Sequence, residues 1–256
     1  MSALRASIAG VGVAAPGMDG WDTASRVLRG EAPHEPVPTV VSAPQRLPPN
    51  ERRRTTNTIR LAFQAAEEAL AAWGGEAGDL SSVFASSNGD LDINLRICTM
   101  LAAGQSALSP TQFHNSVHNA PAGYWSIATG ARGPSCSLSA EAGSAAAGLL
   151  EAMMLVNAEQ RSVMLVVYDI LPPPPLDTVV PIRDAIAVGL VLTPPGNGGP
   201  TLSVEPTWED NVETDGQRFA GHPATALMPL LQALAAGQGR CTVAGPDFGA
   251  AARIEP

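Results

Sequence analysis

The stretch ARGPSCSLSAEAGSAAAG, residues 131–148, reads as a strand over Ser135–Ala140 that turns sharply into a buried helix over Gly143–Val156. Corners of this kind are where enzymes place a nucleophile, because a helix N-terminus and nearby amide donors stabilise a thiolate and a developing oxyanion. The question is which residue here could attack anything. Ser135, Ser137, Ser139 and Ser144 offer hydroxyls, but each would need an adjacent base, and none stands beside them. Cys136 comes early in the strand. An extended chain would hold it about 20 Å from the helix terminus. Turn and strand packing account for the serines, and Cys136 reads as a small buried hydrophobe.

Outward from this corner, composition bounds the rest. A chain of 256 residues buries about 70–75% of its unfolded surface, enough for a compact globular protein. Hydrophobic residues make up 45% and charged ones 15%, yet no apolar run reaches the ~20 residues needed to span a bilayer. The opening MSALRASIAG reads as a first strand and not as a signal peptide, which predicts a cytoplasmic protein. Cys98, Cys136 and Cys241 are odd in number and widely spaced, a pattern of neither a disulfide framework nor a zinc site. No cofactor is expected. A net charge of −9 speaks against nucleic acid, whose phosphates call for a dense basic surface. The local exception is ERRRTTNTIR, with Arg52, Arg53, Arg54 and Arg60, read as a solvated patch or else a docking site for an acidic partner. His114 and His118 have the i, i+4 spacing of a metal pair, but no carboxylate or cysteine of matching spacing follows. His34, in PHEP, reads as loop surface.

Along the chain, SIAGVGVAAPG (Ser7–Gly17) is a strand running into a tight loop. Its GVG lacks the third glycine that opens a helix in a dinucleotide fingerprint. Residues 31–50 carry six prolines and must be extended loop. Ile59, Ala62, Phe63, Ala66, Leu70 and Trp73 fall on one helical face, with Arg60, Gln64, Glu67 and Glu68 opposite, so a helix over Thr58–Trp73 should lie on a sheet. Strands follow at Ser81–Asp90, Ser162–Tyr168, Asp184–Pro194 and near Thr201–Glu205, a helix at Asp92–Ala103, and a last helix at Ala224–Ala235 with CTVAG and AAARIE beyond it. This alternation predicts an α/β fold with a largely parallel sheet.

The order of these motifs resembles the N-terminal half of the β-ketoacyl synthases, members of the thiolase-like fold. The resemblance covers about Ser7 to Glu205: SIAGVGVAAPG, WDTASRVLRGEAP, RTTNTIRLAFQAAEEAL, then the ungapped spacing of Ser109–Pro110, Asn119 in NAPAG and Gly133–Ser135, and finally DAIAVGLVLTP. It implies a half-fold with a mixed, mostly parallel five-stranded sheet and helices on both faces, residues 1–205, followed by a short C-terminal helix-and-strand remnant, 206–256, packed on the same domain. GPDFGAAARIE echoes the Gly/Phe loop and last strand of the synthases, as if the middle of their second half were deleted.

In an active condensing enzyme of this family the cysteine follows the glycine of GPS by nine residues. Here that place is Ala142, preceded by Glu141, and a methyl group cannot attack a thioester. The chain also has no room for the second half, with its two histidines and lysine, and His222 matches no motif of that half. Loss of the cysteine with the scaffold kept resembles the chain-length factors of type II polyketide synthases, in particular half-length factors of aryl polyene pathways. In them the cysteine position is often glutamine preceded by glutamate. The pair Glu141–Ala142 keeps the glutamate and loses the glutamine.

That resemblance implies a heterodimer with a catalytic ketosynthase, with an acyl carrier protein delivering substrate to the complex. Ser135, Cys136, Ser137, Leu138 and Ser139 would lie on the pairing strand, Asn119 along the same interface, and Thr111, Gln112 and Phe113 would face the partner's acyl tunnel, with Phe113 as its stop or as plain core. Independently of family, AGSAAAGLLEAMMLV is apolar on nearly all sides and must be covered, by residues 224–254 or by another subunit. Two other functions stay open: a condensing or malonyl-decarboxylating enzyme with an unfamiliar nucleophile, and a homodimeric acyl-binding protein.

Overall fold

The computed structural model describes residues 3–105, 107–208 and 221–256. Residues 209–220, inside the expected C-terminal remnant, lie outside the described residues. In chain order the elements are β1 (Leu4–Ala15), β2 (Met18–Asp19), α1 (Trp21–Leu28), α2 (Pro49–Arg52), α3 (Asn57–Trp73), β3 (Ser81–Ala85), α4 (Leu91–Ala102), α5 (Pro110–Asn115), α6 (Ala120–Thr129), β4 (Ser135–Leu138) and α7 (Ser144–Glu159). Then come β5 (Val163–Asp169), β6 (Ile186–Thr193), β7 (Thr201–Thr207), α8 (Met228–Ala235), β8 (Gly239–Ala244) and β9 (Gly249–Glu255).

All strands join one sheet in the order β4-β3-β5-β6-β1-β7-β9-β8, with β2 on β1. β4, β3 and β5 are parallel, and β6 runs antiparallel to both β5 and β1. Four of the five strands from β4 to β1 therefore share a direction and β6 opposes them, the expected mixed five-stranded unit. The strand count needs correction, because β7, β9 and β8 prolong the sheet through antiparallel ladders. The two segments read as a short remnant, CTVAG and AAARIE, pair across a tight return of the kind that only antiparallel strands allow.

Two apolar layers flank the sheet. On one face α3 buries Ile59, Leu61, Phe63 and Leu70 among Phe84, Trp125 and Tyr168, each such side chain contributing about 1.5–3 kcal/mol. The close seat of α3 explains GVG. A β-carbon on Gly12 would come 2.1 Å from the Ala65 carbonyl oxygen, and one on Gly189 of β6 would come 2.5 Å from the same atom. These glycines admit a helix backbone, not a pyrophosphate.

On the other face α7 buries Ala145, Leu149, Met153 and Val156 together with Ala224, Leu227, Leu230 and Leu231. The segment around α8 thus covers the helix that sequence alone left bare. α3 is capped by Thr56, whose side chain accepts from Ile59 N–H, and ends on Gly74 in the left-handed conformation.

The polar face of α3 is not solvated as its pattern predicts. Glu68 accepts from Val13 N–H at 2.9 Å and Trp21 N–H at 2.5 Å, tying the end of β1 to the start of α1. Partial burial pushes its carboxyl pKa up. Glu67 takes the amides of Gln45 and Arg46, and Gln64 that of Ser42. The proline-rich loop is thereby pinned along the helix. Arg52, expected in a solvated patch, donates to the Gln45 and Leu47 carbonyls of the same loop.

Candidate functional site

β4 forms one end of the sheet, so among the described residues its outer side has no strand partner. Ser82 N–H donates to Pro134 O and Ser86 N–H to Leu138 O. In a parallel ladder the alternate residue Ser137 then turns its backbone groups outward. Beyond β4 the chain makes a 3-10 turn, Glu141–Gly143, that feeds directly into α7. Glu141 has φ +48°, a conformation that side chains other than glycine adopt only at some cost. The turn is stapled by Ser144, fully buried, which donates from Oγ to Glu141 O at 2.7 Å and accepts from Ala140 N–H at 3.0 Å. Glu141 and Ala142 are exposed at this corner. The Gly/Phe loop lies against it, for a β-carbon on Gly143 would meet the Phe248 ring at 3.3 Å.

The hydroxyls of Ser135, Ser139 and Ser144 and the thiol of Cys136 are otherwise placed. Ser139 Oγ donates to Ser87 O at 2.9 Å, and Ser135 Oγ shares a 2.9 Å hydrogen bond with Ser82 Oγ. Cys136 sits opposite Val83 within the β3–β4 ladder, away from the N-terminus of α7. Burial and the nearby Glu151 push its thiol pKa up, the reverse of what a nucleophile needs.

Behind the corner, at the C-terminal ends of β3 and β5, lies a polar hub that sequence reading missed. Asp169, 1% exposed, accepts from Ser86 Oγ at 2.7 Å, Ser87 N–H at 3.1 Å and Asn88 N–H at 3.2 Å. Burial nevertheless pushes its carboxyl pKa up. His222 donates from Nε2 to Asp169 O at 3.1 Å and accepts from Ala224 N–H on Nδ1. Burial lowers its pKa to about 4, so it stays neutral and locks this tautomer. The one available signal was an aspartate ending the apolar run VMLVVYD.

The other histidines are local as well. His118 donates from Nε2 to Ser86 O at 3.0 Å, His114 packs edge-on against Tyr124, and His34 donates to Pro16 O at 2.9 Å, half-buried and not on free loop surface. Among the described residues no group of three His, Cys, Asp or Glu side chains could hold a metal, and no helix is long and apolar enough to cross a membrane.

The remaining predicted site residues divide. Phe113 is 63% exposed on α5, which removes the core-packing reading, and Val117 and Ile127 are exposed beyond it. Asn119 is exposed at the start of α6. Thr111 and Gln112 line a cleft of about 560 Å³ that also contains Arg54, Arg60 and Asp90 beside Ile93, Ile170, Leu171 and Pro173, a wall of mixed polar and apolar character.

An open mixed sheet with a strand-to-helix nucleophile corner is the thiolase-like architecture. The family profile described as "Beta-ketoacyl synthase, N-terminal domain" matches residues 21–248, and the chain belongs to that family. Comparison with curated proteins gave no match. Among solved structures, a chain of the ketosynthase ApeO in complex with its chain length factor ApeC from Xenorhabdus doucetiae is similar at 25% identity and a TM-score of 0.77, over 98% of this chain and 99% of that one. The ishigamide ketosynthase/chain length factor superposes with a TM-score of 0.78 at 12% identity, over 98% and 99% of the two chains. The type II complex AntDE:AntF, a ketosynthase with its acyl-carrier protein, gives 0.76 at 11% identity, over 100% and 99%. These last two show the fold.

Proposed function

We propose that this chain is a non-catalytic subunit of the chain-length-factor type, which pairs with a catalytic β-ketoacyl synthase and shapes the acyl or polyene tunnel of the complex in type II polyketide or fatty-acid-like biosynthesis. The observation that carries the proposal is Ala142, a methyl group at the turn into α7 in a chain that keeps the strand-to-helix corner of the N-terminal half. In this reading residues 1–205 are the ketosynthase-like half and residues 206–256 the C-terminal remnant, whose Ala224, Leu227, Leu230 and Leu231 cover the α7 face. The partner's strand continues the sheet at β4, through the outward backbone of Ser135, Ser137 and Ser139, and Phe113 with its exposed apolar neighbours is buried at the same joint. An acyl carrier protein serves the complex. It works in the cytoplasm, where three unpaired cysteines remain reduced. The solved chain of the ApeO–ApeC complex, matched end to end, supports this over the alternatives.

The test is co-expression with a full-length ketosynthase carrying its cysteine and two histidines. A 1:1 heterodimer on size exclusion is expected, with no acyl adduct on this chain after incubation with acyl thioesters. In the active complex, Phe113→Ala is expected to lengthen the product. A covalent acyl group on Cys136 or a serine would instead establish an enzyme with its own nucleophile. A stable homodimer that ignores the synthase and co-purifies with lipid would establish the acyl-binding alternative.

A further inference from the structure

We propose that the cleft between the first turns of α3 and α4 binds a small anion carrying a free hydroxyl, of the phosphate-ester or hydroxy-acid class. Its volume of about 560 Å³ is that of a small-molecule site. Three guanidinium groups and the carboxylates of Asp90 and Asp92 line it, and two of the guanidiniums are already paired: Arg54 with Glu51 at 3.1 Å and Arg96 with Asp92, on the same wall, at 2.8 Å. Arg60 is different. Its Nε donates to Thr55 Oγ1 at 2.9 Å, and no carboxylate of the described residues pairs with it. Its two terminal amino groups form the planar fork that matches phosphate or carboxylate oxygens.

The inner end supplies the second half of the recognition. Asp90 is 9% exposed. Its Oδ1 accepts from Ile93 N–H at 3.1 Å, while Oδ2 is buried without a hydrogen-bond partner. Thr58, Asp90 and Asn115 are shared between the cleft and a cavity of about 10 Å³ that reaches Tyr168. The Tyr168 hydroxyl is likewise buried and unpartnered. Leaving such groups unpaired when buried is destabilising. One atom completes both only if it accepts from the phenol and donates to the carboxylate. A hydroxyl oxygen does both, whereas a carbonyl cannot donate and an ammonium cannot accept. A space this size holds about one oxygen atom. The ligand therefore places its hydroxyl between Asp90 and Tyr168 and its anionic group on Arg60. Ala142 is not among the residues that line this cleft, and Thr111 and Gln112, expected on the partner's side, are; the titration is made on the chain without a synthase.

Calorimetric titration of the full chain with sn-glycerol 3-phosphate, D-glycerate, inorganic phosphate and glycerol tests it. Saturable binding is expected for the first two, and the tighter of them fixes the anion class. Arg60→Gln is expected to weaken both by about tenfold or more, equivalent to about 1.4 kcal/mol. Asp90→Asn keeps the acceptor that caps α4 and turns Oδ2 into a donor. It should weaken both hydroxylated anions by a similar factor and leave inorganic phosphate unchanged. Unaltered circular dichroism melting of each variant separates loss of binding from loss of fold. The proposal is overturned if neither hydroxylated anion binds the folded chain, which leaves water alone at the inner end. Equal affinity for inorganic phosphate, or two variants that bind like the parent, overturns it as well.

Discussion

Two neighbouring regions, both at the C-terminal ends of the parallel strands, carry opposite chemistry. The corner at Glu141–Gly143 is exposed and holds a methyl group, while the hub around Asp169 is buried and nearly every polar atom in it is paired. The first presents an exposed methyl group at the turn into α7, and the second holds the groups that fix shape. A corner without sulfur loses little stability, because an exposed side chain there has few contacts to give up. A buried carboxylate that accepts three donors cannot be removed without stranding all of them.

Asp169→Ala breaks the comparison most severely. It orphans Ser86 Oγ and the amides of Ser87 and Asn88, and about 3–5 kcal/mol of stability should disappear in urea denaturation. A loss under about 1 kcal/mol would show the hub to be ornamental.

Acid titrates the same hub through His222. Its folded pKa of about 4 lies below the unfolded value of about 6.5, so the unfolded state takes up the proton first as pH falls. Stability should therefore be intact above about pH 6.5 and decline toward pH 4, by about 3 kcal/mol in all. Asp169 has the opposite sign, its raised pKa favouring the folded state under acid. Comparison with His222→Gln isolates the histidine, and equal pH slopes for the two proteins would contradict its neutral burial.

At the edge next to the corner, Ser137→Pro removes an outward N–H and leaves the inward ladder to β3 in place. It should weaken the heterodimer by about tenfold or more while the melting temperature of the lone chain moves little. Unchanged association would shift the proposed joint away from β4.

The smallest effect is reserved for the corner itself. Ala142→Cys should change stability by no more than about 0.5 kcal/mol. The new thiol, at the exposed turn into α7, should react with iodoacetamide faster than the half-buried Cys241, whose pKa burial raises to about 11.

Much of this was legible in residue order alone. The helical face from Ile59 to Trp73, the apolar strands and the proline-rich loop all rest on local periodicity, and the singling out of Ala142 follows from counting along an ungapped stretch. What escaped depends on contacts between distant segments. Glu67 and Glu68 sit where a helical wheel puts solvent, yet they accept amides from a loop and a strand about 20 to 55 residues away. GVG is a generic tripeptide until α3 is laid across it.

By itself the sequence determined that this chain is an α/β protein resembling a ketosynthase frame with alanine at the counted corner position, since a residue's identity needs no geometry to be read. Tertiary structure alone decided that residues 224–235 blanket α7, that Asp169 and His222 meet behind the empty corner, and that Arg60 and Asp90 share one cleft. The physical reason is that burial and hydrogen-bond satisfaction belong to pairs of segments, and no single segment carries the identity of its partner.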